Sequence, residues 1–188
     1  MKYRFFKDLQ SLDRFTMELD RHRDSIKCSQ CSQSGQFVSH GYVYRQLTQK
    51  TRVTVGKRIF CSNRHGRTGC GSTLRLYLAT FIPMLRYDTT HIAAFLSALI
   101  NGLSIQKAYW AATWTEEPRN AYRWLRKLQY QLTSYHSFLK TRAQELVHSF
   151  RSRTRQLQIL LPTIQRLSVI TQPNLCRSYQ SDSQTSFI

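Results

Sequence analysis

Four cysteines fall in two clusters, Cys28-Ser-Gln-Cys31 and then Cys61 with Cys70, at the two ends of a stretch rich in strand formers. This constrains the fold more than any other feature. Zinc favours four thiolates, and a structural site fills all four positions. A Cys-x-x-Cys turn offers two sulfurs to one ion, and a second pair from the far end of a hairpin completes the set. Cys28, Cys31, Cys61 and Cys70 are therefore the expected ligands of one Zn2+, which would supply part of the module's folding energy. The second knuckle is long, with eight residues between Cys61 and Cys70. Gly66, Gly69 and Gly71 let it bulge, and His65 inside it is an alternative ligand. Disulfides or unrelated buried thiols are the competing explanations. The first residues contain no apolar run of signal-peptide length, so a reducing, cytoplasmic compartment is expected and favours metal. His40 reads as a surface histidine, and Cys176 stands alone with no assigned role.

Charge then bears on partners. The 188-residue chain carries 28 Lys and Arg against 10 Asp and Glu, a formal net charge of +18. Phosphate polymers are the usual partners of such a chain, and anionic membrane is the rival. No segment is long and apolar enough to suggest a transmembrane helix. From Cys28 to Arg86 the sequence has nine basic residues and no acidic one. Arg45, Arg52, Lys57, Arg58, Arg64 and Arg67 lie there and are expected to form a nucleic-acid footprint, with Lys57 contacting phosphate.

The pattern predicts an α+β chain. Residues 1–27 read as an N-terminal helix. Residues 28–82 read as a small β zinc ribbon, with strands over Phe37–Arg45, Arg52–Phe60 and Thr73–Leu78, in which Tyr42, Tyr44, Phe60 and Tyr77 are expected in the core. Pro83 marks a boundary. Residues 87–128 read as a helix-turn-helix: a helix over Thr90–Ile100, a stop at Asn101-Gly102, a second helix capped by Ser104, and a third capped by Thr115 with Pro118 in its first turn. In the third helix Ala121, Leu125 and Leu128, with Trp124, form the inward face. Arg119, Arg123 and Arg126, flanked by Asn120, Tyr122 and Lys127, form a basic face suited to the major groove, where Arg pairs with guanine and Asn with adenine. A solvated amphipathic helix is the plainer alternative. Residues 129–172 read as further helices reaching about Phe150, then an apolar patch over Leu157–Ile170. Arg151, Arg153 and Arg155 touch phosphate or are simply solvated. Residues 173–188 read as a disordered tail.

In this order the elements resemble small zinc-ribbon/helix-turn-helix proteins of bacterial mobile elements, the InsA type, and related transposase-associated DNA-binding domains. The residues that carry the likeness are Cys28-x-x-Cys31, Arg58-Ile-Phe-Cys61, Cys70-Gly71, and Asn101-Gly-Leu-Ser through Tyr122-Arg-Trp-Leu125. It covers about residues 25–130 and departs in the long second knuckle and the extra C-terminal helices. It implies a site-preferring protein that binds double-stranded DNA in the nucleoid, with Arg119, Asn120 and Arg123 reading the element's end. A transposase or recombinase partner and a homodimer are compatible with it.

Catalysis by this chain is not expected. Transposition chemistry needs clustered carboxylates that hold two metals, and five of the ten acidic residues lie within the first 27 positions. Two other readings stay open: an RNA-binding or ribosome-associated zinc ribbon, in which Tyr42, Tyr44, Phe60 and Tyr77 would stack on unpaired bases instead of filling the core, and a docking module for a recombinase.

Overall fold

The computed structural model describes residues 3–22, 26–46, 51–142, 155–171 and 174–188. These form a mixed α+β chain with one four-stranded sheet and seven helices. They belong to two compact units, Met1–Pro83 and Met84–Ile188.

In the first unit the strands are β1 (Tyr3–Phe6), β2 (Phe37–Gln46), β3 (Arg52–Cys61) and β4 (Thr73–Leu78), ordered β1-β4-β3-β2. β1 runs parallel to β4, and the other pairs are antiparallel. Helix α1 (Leu9–Met17) starts at Asp8, whose carboxylate accepts the Ser11 N–H in a capping box. Its Leu12 and Phe15 cluster with Phe37, Ile59, Leu76 and Leu78 on one side of the sheet. Phe5, Val55, Tyr77 and Ala79 form a second, smaller cluster.

The expected helix over 1–27 is thus corrected. Residues 3–6 are a strand because Phe5 and Phe6 serve different clusters, a period of two that only an extended chain provides. The helix itself is shorter than expected, ending at the Glu18 C-cap, although Leu19 and Ile26 beyond it are still buried.

Two register shifts bend the β2–β3 hairpin. The pairs Ser39↔Ile59 and Gly41↔Arg58 leave His40 as an extra residue on β2, and Val43↔Gly56 and Tyr44↔Thr54 leave Val55 as one on β3. The Val55 bulge changes which face each residue serves. Val55 joins the smaller cluster, whereas Lys57, Ile59 and Cys61 turn towards α1 and the cysteines.

The second unit holds α2 (Thr89–Ile100), α3 (Ile105–Thr113), α4 (Arg119–Tyr130), α5 (Leu132–Arg142), α6 (Arg155–Ile170) and α7 (Leu175–Ser183). Asp88 caps α2 and Ser104 caps α3 through their side chains. The expected Thr115 cap is corrected. Pro118 occupies the N-cap position of α4, and no side chain caps this helix. Tyr87, Phe95, Tyr109 and Trp124 pack edge to face around one core, with ring centroids 5.2–6.3 Å apart.

The C-terminal expectation fails for a specific reason. Although residues 174–188 are rich in Ser and Gln, Leu175, Cys176 and Tyr179 lie on one helical face and are buried, as are Phe187 and Ile188. The buried Gln180 carboxamide accepts the Phe187 N–H at 3.1 Å, and the Tyr135 hydroxyl donates to the Phe187 carbonyl. Polar composition hid a folded segment whose few apolar residues are well placed. Burial also pushes the Cys176 thiol well above its usual value, which leaves it an inert core group. The expected run of helix to Phe150 breaks at Gln131; Phe150, Arg151 and Arg153 lie outside the described residues, as does the side chain of Arg155.

Candidate metal centre and cationic surfaces

The sulfur atoms of Cys28, Cys31, Cys61 and Cys70 all lie within 4.8 Å of one another. Sequence spacing anticipated this set, and the sheet explains it. Cys61 ends β3, and a tight turn carries Cys28 and Cys31, with the Ser32 N–H bonded to the Cys28 carbonyl at 2.8 Å and the Cys28 N–H to the Gln33 carbonyl at 2.9 Å. Cys70 returns beside Cys61 because the Gly71 N–H donates to the Cys61 carbonyl at 2.9 Å and the Gly69 N–H to the Ser62 carbonyl at 2.8 Å. Close approach accounts for Gly69: a Cβ there would lie 2.7 Å from the Cys61 sulfur and 2.4 Å from the Ser62 carbonyl oxygen.

The spacing fits a metal and not a disulfide. A tetrahedral zinc with Zn–S bonds of about 2.3 Å requires sulfurs about 3.8 Å apart. The Cys28–Cys70 and Cys31–Cys61 separations are 3.6 and 3.8 Å. A disulfide would bring two sulfurs to about 2.05 Å, and all four are free thiols. The thiols of the cluster titrate apart. Burial pushes the Cys28 thiol up, but hydrogen bonds from the Ser72 hydroxyl and from the backbone at Cys31 and Gln30 outweigh it and bring the group down to about 6. Burial drives Cys61 the other way, to about 12. Four sulfurs this close cannot all be charged without a cation between them, and a bound divalent ion deprotonates each ligand.

The long second knuckle is held against the first. The Arg67 guanidinium donates to the Gly35 carbonyl at 2.7 Å, and the Thr68 N–H donates to the Gln36 carboxamide oxygen at 3.0 Å. His65, at its tip, is exposed and lies outside the four-sulfur group.

The basic residues divide into committed and available. Lys57 is buried: its ammonium lies 3.1 Å from Asp13 and 2.8 Å from the Thr16 hydroxyl, over the Tyr42 ring. Its expected phosphate contact is corrected, because the acid-free segment receives its counter-charge from α1. Arg67 is half-buried in the knuckle, and Arg45 donates to the Ile82 carbonyl while stacking over Phe81. Arg52, Arg58 and Arg64 are exposed, with the Arg52 guanidinium 4.0 Å above the exposed Tyr44 ring. Tyr42 and Tyr44 are surface residues and not core, unlike the buried Tyr77.

Arg75 is one of the nine basic residues of the acid-free segment, with no individual contact expected of it. It pairs directly with Arg58 across β3 and β4, and both are exposed. Directly opposed like charges destabilise a sheet unless an anion lies over them. Only the register shows this juxtaposition, because the two residues are 17 apart in sequence.

In the second unit α4 buries Ala121, Trp124, Leu125 and Leu128 and exposes Arg119, Tyr122, Arg123, Arg126 and Lys127. Arg119 pairs with Glu117 at 2.6 Å, both largely exposed. Asn120 departs from the expected reading face. It is half-buried and its amide donates to the Tyr109 hydroxyl at 3.4 Å, since its place on the helix turns it towards α3.

The Asp13–Lys57 pair carries a prediction. Asp13→Ala leaves an ammonium buried without its partner and should destabilise the first unit by about 3 kcal/mol. Denaturant unfolding would measure it. Lys57→Met, which removes the charge and keeps the apolar stem, should cost much less.

The fold and site together define a mixed α+β chain with a cysteine cluster able to hold a metal ion. No family model, curated protein or solved structure matches the chain. No helix among the described residues is long and apolar enough to cross a membrane.

Proposed function

We propose that the chain is a zinc-dependent protein that binds duplex DNA, with α4 as the reading element of a helix-turn-helix and the sheet unit as a cationic clamp on the phosphate backbone. The observation that carries this reading is the outward face of α4, where four basic residues and one tyrosine stand opposite a fully apolar inward face. Arg123 and Arg126 lie on this face and suit guanine, while Arg119 and Lys127 flank them for phosphate. The opposed Arg58 and Arg75, with Arg52 and Arg64, support the clamp.

The proposed service to a mobile element rests on the order of the elements: cysteine turn, basic strand, then short helices. A transposase or recombinase partner would supply DNA cleavage. Four of the described acidic residues are engaged otherwise. Asp88 caps α2, Asp13 holds Lys57, and Glu117 and Asp182 pair with Arg119 and Arg142. A nucleoid-associated location follows from the same reading.

Titration of labelled duplexes at several salt concentrations tests the proposal. Arg123→Ala should relax preference at one base position by about 1–3 kcal/mol. Arg58→Ala should weaken all duplexes alike and lower the salt slope by about one. If the two variants behave identically, α4 does not read sequence. Tighter binding to unpaired RNA than to duplex DNA would move the function to the exposed Tyr44 and Arg52 pair.

A further inference from the structure

Two tryptophans stand on the surface of the second unit with nothing in the DNA reading to occupy them. Trp110 is 47% exposed and Trp114 78%. They lie edge to face, 5.2 Å between ring centroids. They leave α3 on the side away from its buried Ala108, Tyr109 and Ala112, and Lys107 shares that outward side one turn earlier. Trp114 is also held in the left-handed conformation at φ 55°, where a bulky residue is a genuine outlier. Glycine would close the helix at lower conformational cost. The position therefore combines an exposed indole with backbone strain, the kind of combination found where a surface binds something.

Charge selects the occupant. Glu116 and Glu117 follow Trp114 closely and are exposed, in a chain of net charge +18 with few acids. Arg119 already neutralises Glu117, so the Glu116 carboxylate beside the tryptophans is the acidic group that attracts a basic side chain of a polypeptide. We propose that the occupant is a second copy of this chain, in an isologous dimer that packs one Trp110–Trp114 pair against the other. With two α3 helices antiparallel about an axis midway between the tryptophans, Lys107 of one copy approaches Glu116 and Glu117 of the partner subunit. The surface is thus complementary to itself, as a two-fold interface must be. The two rings offer on the order of 300 Å² per copy, enough for the apolar centre of a small interface with a charged rim. Glu117 already pairs with Arg119, so the rim joins an existing ion pair and is not built on a vacant carboxylate.

The test is the mass of the zinc-loaded full chain by sedimentation equilibrium from about 1 to about 100 μM. The proposal expects twice 22.2 kDa at the upper end. Trp110→Ser with Trp114→Ser should weaken dimerisation by about thirtyfold or more, the effect of losing an interface anchor, with an unchanged circular dichroism spectrum. Lys107→Glu should weaken it too, and adding Glu116→Lys, which leaves the Glu117–Arg119 pair in place, should restore it. A wild-type chain that stays monomeric throughout would overturn the proposal, as would a double-tryptophan variant that dimerises like wild type. Tryptophan quenching by single-stranded oligonucleotide on a monomeric chain would also overturn it and make the pair a stacking surface for bases. The readout is mass without DNA, so its failure leaves the DNA reading intact.

Discussion

Cys31→Ser should abolish stoichiometric zinc binding and unfold most of the Met1–Pro83 unit. Cys31 is one of four sulfurs drawn within 4.8 Å from two turns separated by the whole β2–β3 hairpin. Without an ion they are four closely packed thiols with conflicting protonation. With one they tie the ends of the sheet together. Zinc in small thiolate modules contributes about 10–16 kcal/mol, against about 5–15 kcal/mol of total stability for a typical domain. The sheet and α1 bury a core of their own, so some residual order around Leu12, Ile59 and Leu76 should survive. Native mass spectrometry should count one zinc on the wild type and none on the variant, and thermal unfolding should lose the transition of the first unit. A variant that keeps one zinc and the wild-type transition would show that the four sulfurs are not the ligand set.

Gly56→Ala should be nearly as damaging, for a reason unrelated to metal. Gly56 sits beside the Val55 bulge and pairs with Tyr77 on β4. A Cβ there would lie 2.0 Å from the Leu76 carbonyl oxygen and 3.1 Å from the Tyr77 Cα. These are backbone atoms of a paired strand, so no side chain can rotate away, and β3 and β4 must separate. A loss of about 4 kcal/mol or more is expected, at the upper end of single-residue effects. Denaturant unfolding of the zinc-loaded protein measures it. An unchanged midpoint would mean that β3 and β4 pair in a different register.

The strands of the hairpin, the Ser104 cap and the inward face of α4 could be read from the sequence because each rests on a local rule: alternation, a side-chain cap, a 3.6-residue period. The cysteine set was legible from spacing alone. What could not be read depends on partners distant in sequence. Tyr3–Phe6 is too short for its alternation to stand out, and it becomes a strand only through parallel pairing with β4. Lys57 looked solvent-facing because its own segment lacks acids, yet Asp13 lies 44 residues earlier. Asn120 shares a basic stretch, but its angular position faces Tyr109. The C-terminal segment is polar on average and apolar at the positions that pack. The Arg58–Arg75 opposition exists only in the register.

The most direct measurement is selection from a random duplex DNA pool on the zinc-loaded protein near physiological salt, with sequencing of the retained DNA, run in parallel on Arg123→Ala. A sequence-reading α4 should enrich a compact motif with wild type and a motif degenerate at one position with the variant. Retention that falls steeply with salt and enriches no motif in either case would contradict a reading helix and leave only a cationic clamp.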